Sequence, residues 1–89
     1  MKHLDIHVRG KVQGVWFRAA TQEEAARLGI NGFVQNESDG SVYLEAEGSQ
    51  EQLADLLVWL QQGPPRAEVD DITSNESGLK NFSGFQIRR

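Results

Sequence analysis

The chain has 89 residues, 38% hydrophobic and 25% charged, with 0 cysteines and a net charge of −4 from 9 Lys+Arg against 13 Asp+Glu. That length suits a single domain, residues 1–89, and leaves no room for the two-domain scaffold of a large-cofactor enzyme. The missing cysteines exclude a disulfide framework, an iron–sulfur cluster and a thiol nucleophile, and the acidic balance argues against nucleic acid or an anionic membrane as the main partner.

The charge is unevenly spread. Residues 1–30 carry +2 (Lys2, Arg9, Lys11, Arg18 and Arg27 against Asp5, Glu23 and Glu24), and the rest of the chain carries −6. A local positive patch in an acidic protein suits a small anionic ligand better than a polymer. No apolar run is long enough to span a bilayer. The opening MKHLDIHVRG is interrupted by Asp5, His7 and Arg9 and is unlike a signal peptide, so the expected location is the cytoplasm.

Leu4, Ile6 and Val8 alternate with His3, Asp5 and His7, the period of a half-buried strand. Gly10 and Gly14 punctuate the loop that follows. The stretch from Trp16 to Leu28 is rich in Ala, Glu and Gln and reads as a helix stopped by Gly29, with Thr21, Ala25 and Leu28 on one face. Residues 32–37 read as a second strand. The turn Ser38-Asp39-Gly40-Ser41 folds it back on a third strand, whose Val42, Leu44 and Ala46 alternate with Tyr43, Glu45 and Glu47. Leu53, Leu56, Leu57 and Leu60 form the apolar stripe of a second helix, with Ser49 and Gln52 spaced as a capping box and Gly63-Pro64-Pro65 as a stop.

Residues 69–73 read as a weaker strand. Val69 and Ile72 have opposite parity there, which predicts a bulge or a change of buried face. A last strand covers residues 82–88, with Phe85 and Ile87 on one side. Two helices on one face of an antiparallel sheet satisfy these stripes: an α+β, ferredoxin-like split βαβ plait. The other face, with His3, Asp5, His7, Tyr43, Glu45 and Glu47, is then expected to meet water. His3 and His7 stand too far apart along a strand to share a metal, about 13 Å at the usual rise. Trp16, Phe17 and Trp59 read as core or pocket wall.

The loop Arg9–Arg18 joins a strand to a helix N-terminus, where unpaired N–H groups and the positive end of the helix dipole converge. Gly14 lets successive N–H groups curl into an anion nest. Arg18 is placed to aim a planar fork of donors at the same anion. The spacing is not that of a nucleotide P-loop. A plain glycine loop with Arg18 as a solvated charge is the competing reading. Asn36 reads either as a turn residue bonded to its own backbone or as an amide that positions a water. The first and second strands of such a plait run parallel, which brings Asn36 to the same end of the sheet as the loop.

Val8-Arg9-Gly10-Lys11-Val12-Gln13-Gly14-Val15-Trp16-Phe17-Arg18 resembles the first signature of the acylphosphatases. Gly32-Phe33-Val34-Gln35-Asn36, followed by Asp39-Gly40-Ser41-Val42 and Gly48, resembles the second. The likeness spans essentially the whole chain, with Trp16 at a position where the family varies. It implies metal-independent hydrolysis of acyl phosphates with no cofactor, Arg18 on the phosphate and Asn36 on the attacking water. The backbone N–H groups of Gln13, Gly14, Val15, Trp16, Phe17 and Arg18 would cradle the phosphoryl group. Inorganic phosphate or sulfate would be a product-like ligand, and the enzyme a monomer without nucleic-acid or membrane partners. The alternative is a non-catalytic anion-binding or regulatory module on the same fold. An RNA reader would need aromatic residues on the open sheet face, and the pattern offers only Tyr43 there.

Overall fold

Alternation builds the sheet, and in the computed structural model, which describes all 89 residues, it extends further than the apolar runs alone. The elements are β1 (Lys2–Lys11), α1 (Phe17–Leu28), β2 (Asn31–Asn36), β3 (Val42–Gly48), α2 (Gln50–Gln62), β4 (Glu68–Ser77) and β5 (Phe85–Arg88). The strand order is β4-β1-β3-β2-β5. The first four strands pair antiparallel, and β5 joins the outer edge of β2 in parallel, so the sheet is mixed at that edge. This is the ferredoxin-like α+β plait expected from the pattern.

One face of the sheet holds the core. Ile6 and Val8 of β1, Val34 of β2 and Val42, Leu44 and Ala46 of β3 pack with Phe17 and Ala25 of α1 and Leu53, Leu56 and Leu60 of α2. Leu56 is wholly buried, so its truncation to alanine costs about 2–5 kcal/mol in lost transfer energy and cavity. The capping box forms in full: Ser49 Oγ accepts from the Gln52 N–H at 3.1 Å, and Gln52 Oε1 accepts from the Ser49 N–H at 2.8 Å. The β4 irregularity is a bulge. Arg9 pairs with Asp71 but Gly10 with Val69, so Asp70 is the extra residue and both Val69 and Ile72 reach the core. A side chain at Gly10 would run into the Glu68 carbonyl at 2.2 Å, so only glycine fits beside this bulge.

The second face differs from expectation. His3 is 0% exposed, Glu45 7% and Glu47 2%. The cause is topological. β4 and β5 sit at opposite edges, so the chain between them, residues 78–84, crosses the sheet. Glu47 holds that crossing by accepting the N–H groups of Lys80 at 2.6 Å and Phe82 at 3.0 Å. Phe33 also lies on this face, opposite Glu45, and is 4% exposed. The Phe82 ring packs edge-on against it at 5.6 Å, and the Arg88 guanidinium covers it at 3.8 Å. The face therefore carries more aromatics than Tyr43 alone, but Phe33 is already covered and offers no free platform for a base.

Candidate active site

β1 and β2 are both antiparallel to β3, which lies between them, so they point the same way. The loop after β1 and the last residue of β2, Asn36, therefore meet at one end of the sheet. Asn36 shares strand parity with the buried Val34, which puts it on the α1 side. A cleft of about 370 Å³ opens there, lined by Gly14, Trp16, Arg18, Asn36, Ile87 and Arg89 over Val12, Phe17 and Ala19. Two arginines and no acidic residue line it, in a chain whose net charge is −4.

Gly14, without a side chain, lines this space with its backbone. Gly14 takes φ +71°, and a Cβ there would meet no protein atom within 4 Å. Trp16 takes φ +70°, the left-handed region, and caps α1 without a side-chain hydrogen bond. A bulky residue in that region stores of order 1–3 kcal/mol of strain. No backbone N–H from Gln13 to Ala19 donates to a backbone carbonyl; the first to do so is that of Ala20, to Trp16 at 3.1 Å. The first turn of α1 carries no acidic residue, so the positive end of its dipole is uncompensated.

Arg18 is half-buried and makes no ion pair with a carboxylate. Its guanidinium makes one hydrogen bond to the protein, a long one, Nη1 to the Arg88 carbonyl at 3.5 Å. Removing a guanidinium from part of its water without a counter-ion is costly, and an anion in the cleft offsets that cost. Asn36 is exposed, and its amide has no hydrogen-bonding partner in the protein. The turn beside it is closed by Asp39, whose Oδ1 accepts from the Ser41 N–H at 2.9 Å and from Ser41 Oγ at 2.6 Å. The turn therefore does not need the Asn36 side chain.

The structure thus brings Gly14, Trp16, Phe17, Arg18 and Asn36 to one cleft. Gln13 and Val15 do not line it. Val15 is in the core, and the Gln13 amide donates to the carbonyls of Glu37 and Ser41, both at 2.8 Å. This clip fixes the loop against the hairpin turn that follows Asn36. Sequence reasoning missed it because the two segments are 24 residues apart. It also missed Ile87 and Arg89, which enter the site only because β5 lies beside β2. The signal for that was the Phe85/Ile87 alternation, which demands an apolar face to pack on.

Trp16, read as core or pocket wall, is wall: it is 77% exposed, while Phe17 is buried. Trp59 packs against Phe17 at 6.1 Å between ring centroids.

A second polar cluster lies toward the far end of β1, on the other face of the sheet, with His3 roughly 17 Å along the strand from the level of Asn36. One donor atom from each of His3, Asp5 and Glu45 falls within 4.8 Å of the others. The donors are already engaged. His3 Nδ1 meets Glu47 at 2.7 Å, Nε2 meets Asp5 at 2.8 Å, and the Lys80 ammonium sits on Glu45 at 2.8 Å. Burial opposes charge on His3, but the carboxylates of Glu47, Asp5 and Glu45 outweigh it and hold its pKa above the usual 6.5. The cluster is a charge-compensated strut beneath the crossing segment rather than part of the cleft.

Comparison with known proteins agrees along the whole length. The sequence profile of the family described as Acylphosphatase matches residues 4–87. An acylphosphatase of Actinobacillus succinogenes is 51% identical over 92% of each chain. One of Thiobacillus denitrificans is 43% identical over 99% of this chain and 98% of its own. The crystal structure of the Bacillus subtilis acylphosphatase superimposes with a TM-score of 0.98 at 37% identity, covering 100% of both chains.

Proposed function

The chain belongs to the acylphosphatase family and hydrolyses the carboxyl–phosphate bond of acyl phosphates, giving a carboxylate and inorganic phosphate; from that premise we propose that it does so without a metal ion, in the cleft between the Gly14 loop and Asn36. One observation carries the assignment: Gly14, Trp16, Phe17, Arg18 and Ala19, whose N–H groups pair with no backbone carbonyl, line one cleft with an Arg18 that has no counter-ion, and no acidic side chain lines it.

In this reading the phosphoryl oxygens accept from the loop N–H groups at the positive end of α1. Arg18 supplies a fork of donors to two of the oxygens. Asn36, on the opposite wall, receives a water on its amide and holds it for in-line attack on phosphorus. Water's oxygen bonds to phosphorus as the phosphorus–acyl oxygen bond breaks, and the carboxylate leaves with the bonding pair. A carboxylate is a weak base, with a pKa near 4 by analogy with side-chain carboxyls, so its departure needs no general acid. The lining offers no imidazole or carboxylate to take the water's proton, and a phosphoryl oxygen is the acceptor at hand. Positioning and charge stabilisation are what phosphoryl transfer asks of a protein, and the cleft supplies both. The same reading takes the enzyme as a cytoplasmic monomer that binds inorganic phosphate or sulfate as product analogues.

The test is turnover of acetyl phosphate after exhaustive chelation. Undiminished turnover is expected; loss of activity with recovery on adding a divalent cation overturns the metal-free reading.

A further inference from the structure

Once the phosphoryl group is placed on the loop N–H groups and Arg18, and the water on Asn36, part of the cleft is left over. Its apolar lining includes Trp16, exposed to solvent, and Ile87 at the end of β5. Trp16 does nothing visible for the fold. It is 77% exposed, lies outside the core cluster, pairs with no other ring and makes no side-chain hydrogen bond. Its backbone is also held at φ +70°, a conformation that glycine adopts freely and an indole-bearing residue does not. A side chain that strains the loop and supports no packing is explained by what enters the cleft. An exposed indole gains most from an apolar or aromatic group laid against it.

We propose that Trp16 is a specificity-determining residue. The acyl group of the substrate packs against its indole, with Ile87 as the neighbouring wall, so the enzyme favours acyl phosphates with aromatic or branched apolar acyl groups over acetyl phosphate. This rests on the phosphoryl group occupying the Gly14 loop, which fixes the end of the cleft at which the acyl group emerges.

The experiment compares kcat/KM for benzoyl phosphate and acetyl phosphate in the wild type, Trp16→Gly and Trp16→Phe. Both substrates use the same N–H groups, so any effect of the substitution on the loop backbone cancels in the ratio. The wild type is expected to prefer benzoyl phosphate. Trp16→Gly should lower the benzoyl-to-acetyl ratio about tenfold, the scale on which a lost apolar contact discriminates, mainly through a higher KM for benzoyl phosphate. Trp16→Phe, which keeps a ring, should retain most of the ratio. An unchanged ratio in Trp16→Gly overturns the proposal, and so does an equal fall for both substrates, which would mark a loop effect. If Trp16→Gly does not fold, a benzoyl-to-acetyl preference undiminished in Trp16→Ala overturns it in the same way. The failure of the underlying reading looks different: Arg18→Ala then leaves kcat/KM for both substrates undiminished.

Discussion

The side-chain amide of Gln13 donates to the backbone carbonyl of Glu37 at 2.8 Å, and so ties the loop before α1 to the residue that follows Asn36. A second bond from the same nitrogen reaches the Ser41 carbonyl, also at 2.8 Å. The spacing between the two walls of the cleft is therefore set by a residue that does not line it. Gln13→Ala removes both bonds, but each carbonyl keeps a backbone donor, Gly40 N–H on Glu37 and Glu37 N–H on Ser41, so the cost is about 0.5–1.5 kcal/mol per lost bond. The informative readout is the split between kinetic constants. With Arg18 and Asn36 both present but no longer held in register, kcat should fall by more than tenfold, because small misplacement of reacting groups is expensive. A variant destabilised as expected but with wild-type kcat would reduce Gln13 to a structural brace.

Arg18 meets an anionic group in the bound state and in the transition state alike. Arg18→Ala should weaken competitive inhibition by inorganic phosphate and lower kcat/KM together. Arg18→Lys should recover little of either, since a point charge does not reproduce the fork. Steady-state kinetics with phosphate as inhibitor measures both. Full recovery by lysine would mean that charge alone matters.

Asn36 is assigned to the water, so its removal should spare phosphate. Asn36→Ala should lower kcat by about 10²–10³, the range for loss of one oriented donor, with phosphate affinity nearly unchanged. Asp39 closes the adjacent turn without help from Asn36, so the variant should keep its thermal midpoint. Wild-type kcat in this variant would sink the water-positioning role.

Much of this was legible from residue pattern, and the limits have physical causes. The alternation in β1 and β3, the Leu53–Leu60 stripe and the Ser49/Gln52 box are local, and each formed as the spacing required. Gly14, Arg18 and Asn36 were legible as candidates because the plait order alone places two strand ends together. The burial of His3, Glu45 and Glu47 was not, because periodicity gives a residue's face but not what covers that face. Strand order gave the missing clue: β4 and β5 end on opposite edges, so seven residues, 78–84, must cross one face. Phe33 and Phe82 were the apolar residues marking it.

That covered strut sets the pH dependence of stability. Burial opposes charge on His3, but its bonds to Glu47 and Asp5 raise its pKa above 6.5. Its contribution is therefore complete below pH 6.5 and is lost as pH rises through the folded-state pKa. Glu47 behaves oppositely. Burial would raise its pKa, but the Lys80 N–H, the His3 imidazole and the Phe82 N–H hold it below 4.5. Its contribution is present above pH 4.5 and is lost as pH falls through the folded-state value. Asp5, Glu45 and Lys80 complete the set of charges around His3. Urea midpoints should thus peak between pH 4.5 and 6.5 and decline on both sides. His3→Gln should flatten the alkaline decline, and an alkaline decline of wild-type steepness in that variant would exclude His3 as its source.

The central claim is that the unpaired N–H groups between Gln13 and Ala19, together with Arg18, hold the phosphoryl group. Backbone amide NMR during titration with inorganic phosphate tests it most directly. The account predicts saturable shifts concentrated in residues 13–19, and at the Arg18 side chain, with a dissociation constant equal to the competitive inhibition constant for acyl phosphate hydrolysis. Those shifts should persist in Asn36→Ala and saturate only at higher phosphate concentration in Arg18→Ala. Competitive inhibition by phosphate with the amides of residues 13–19 unmoved would contradict it.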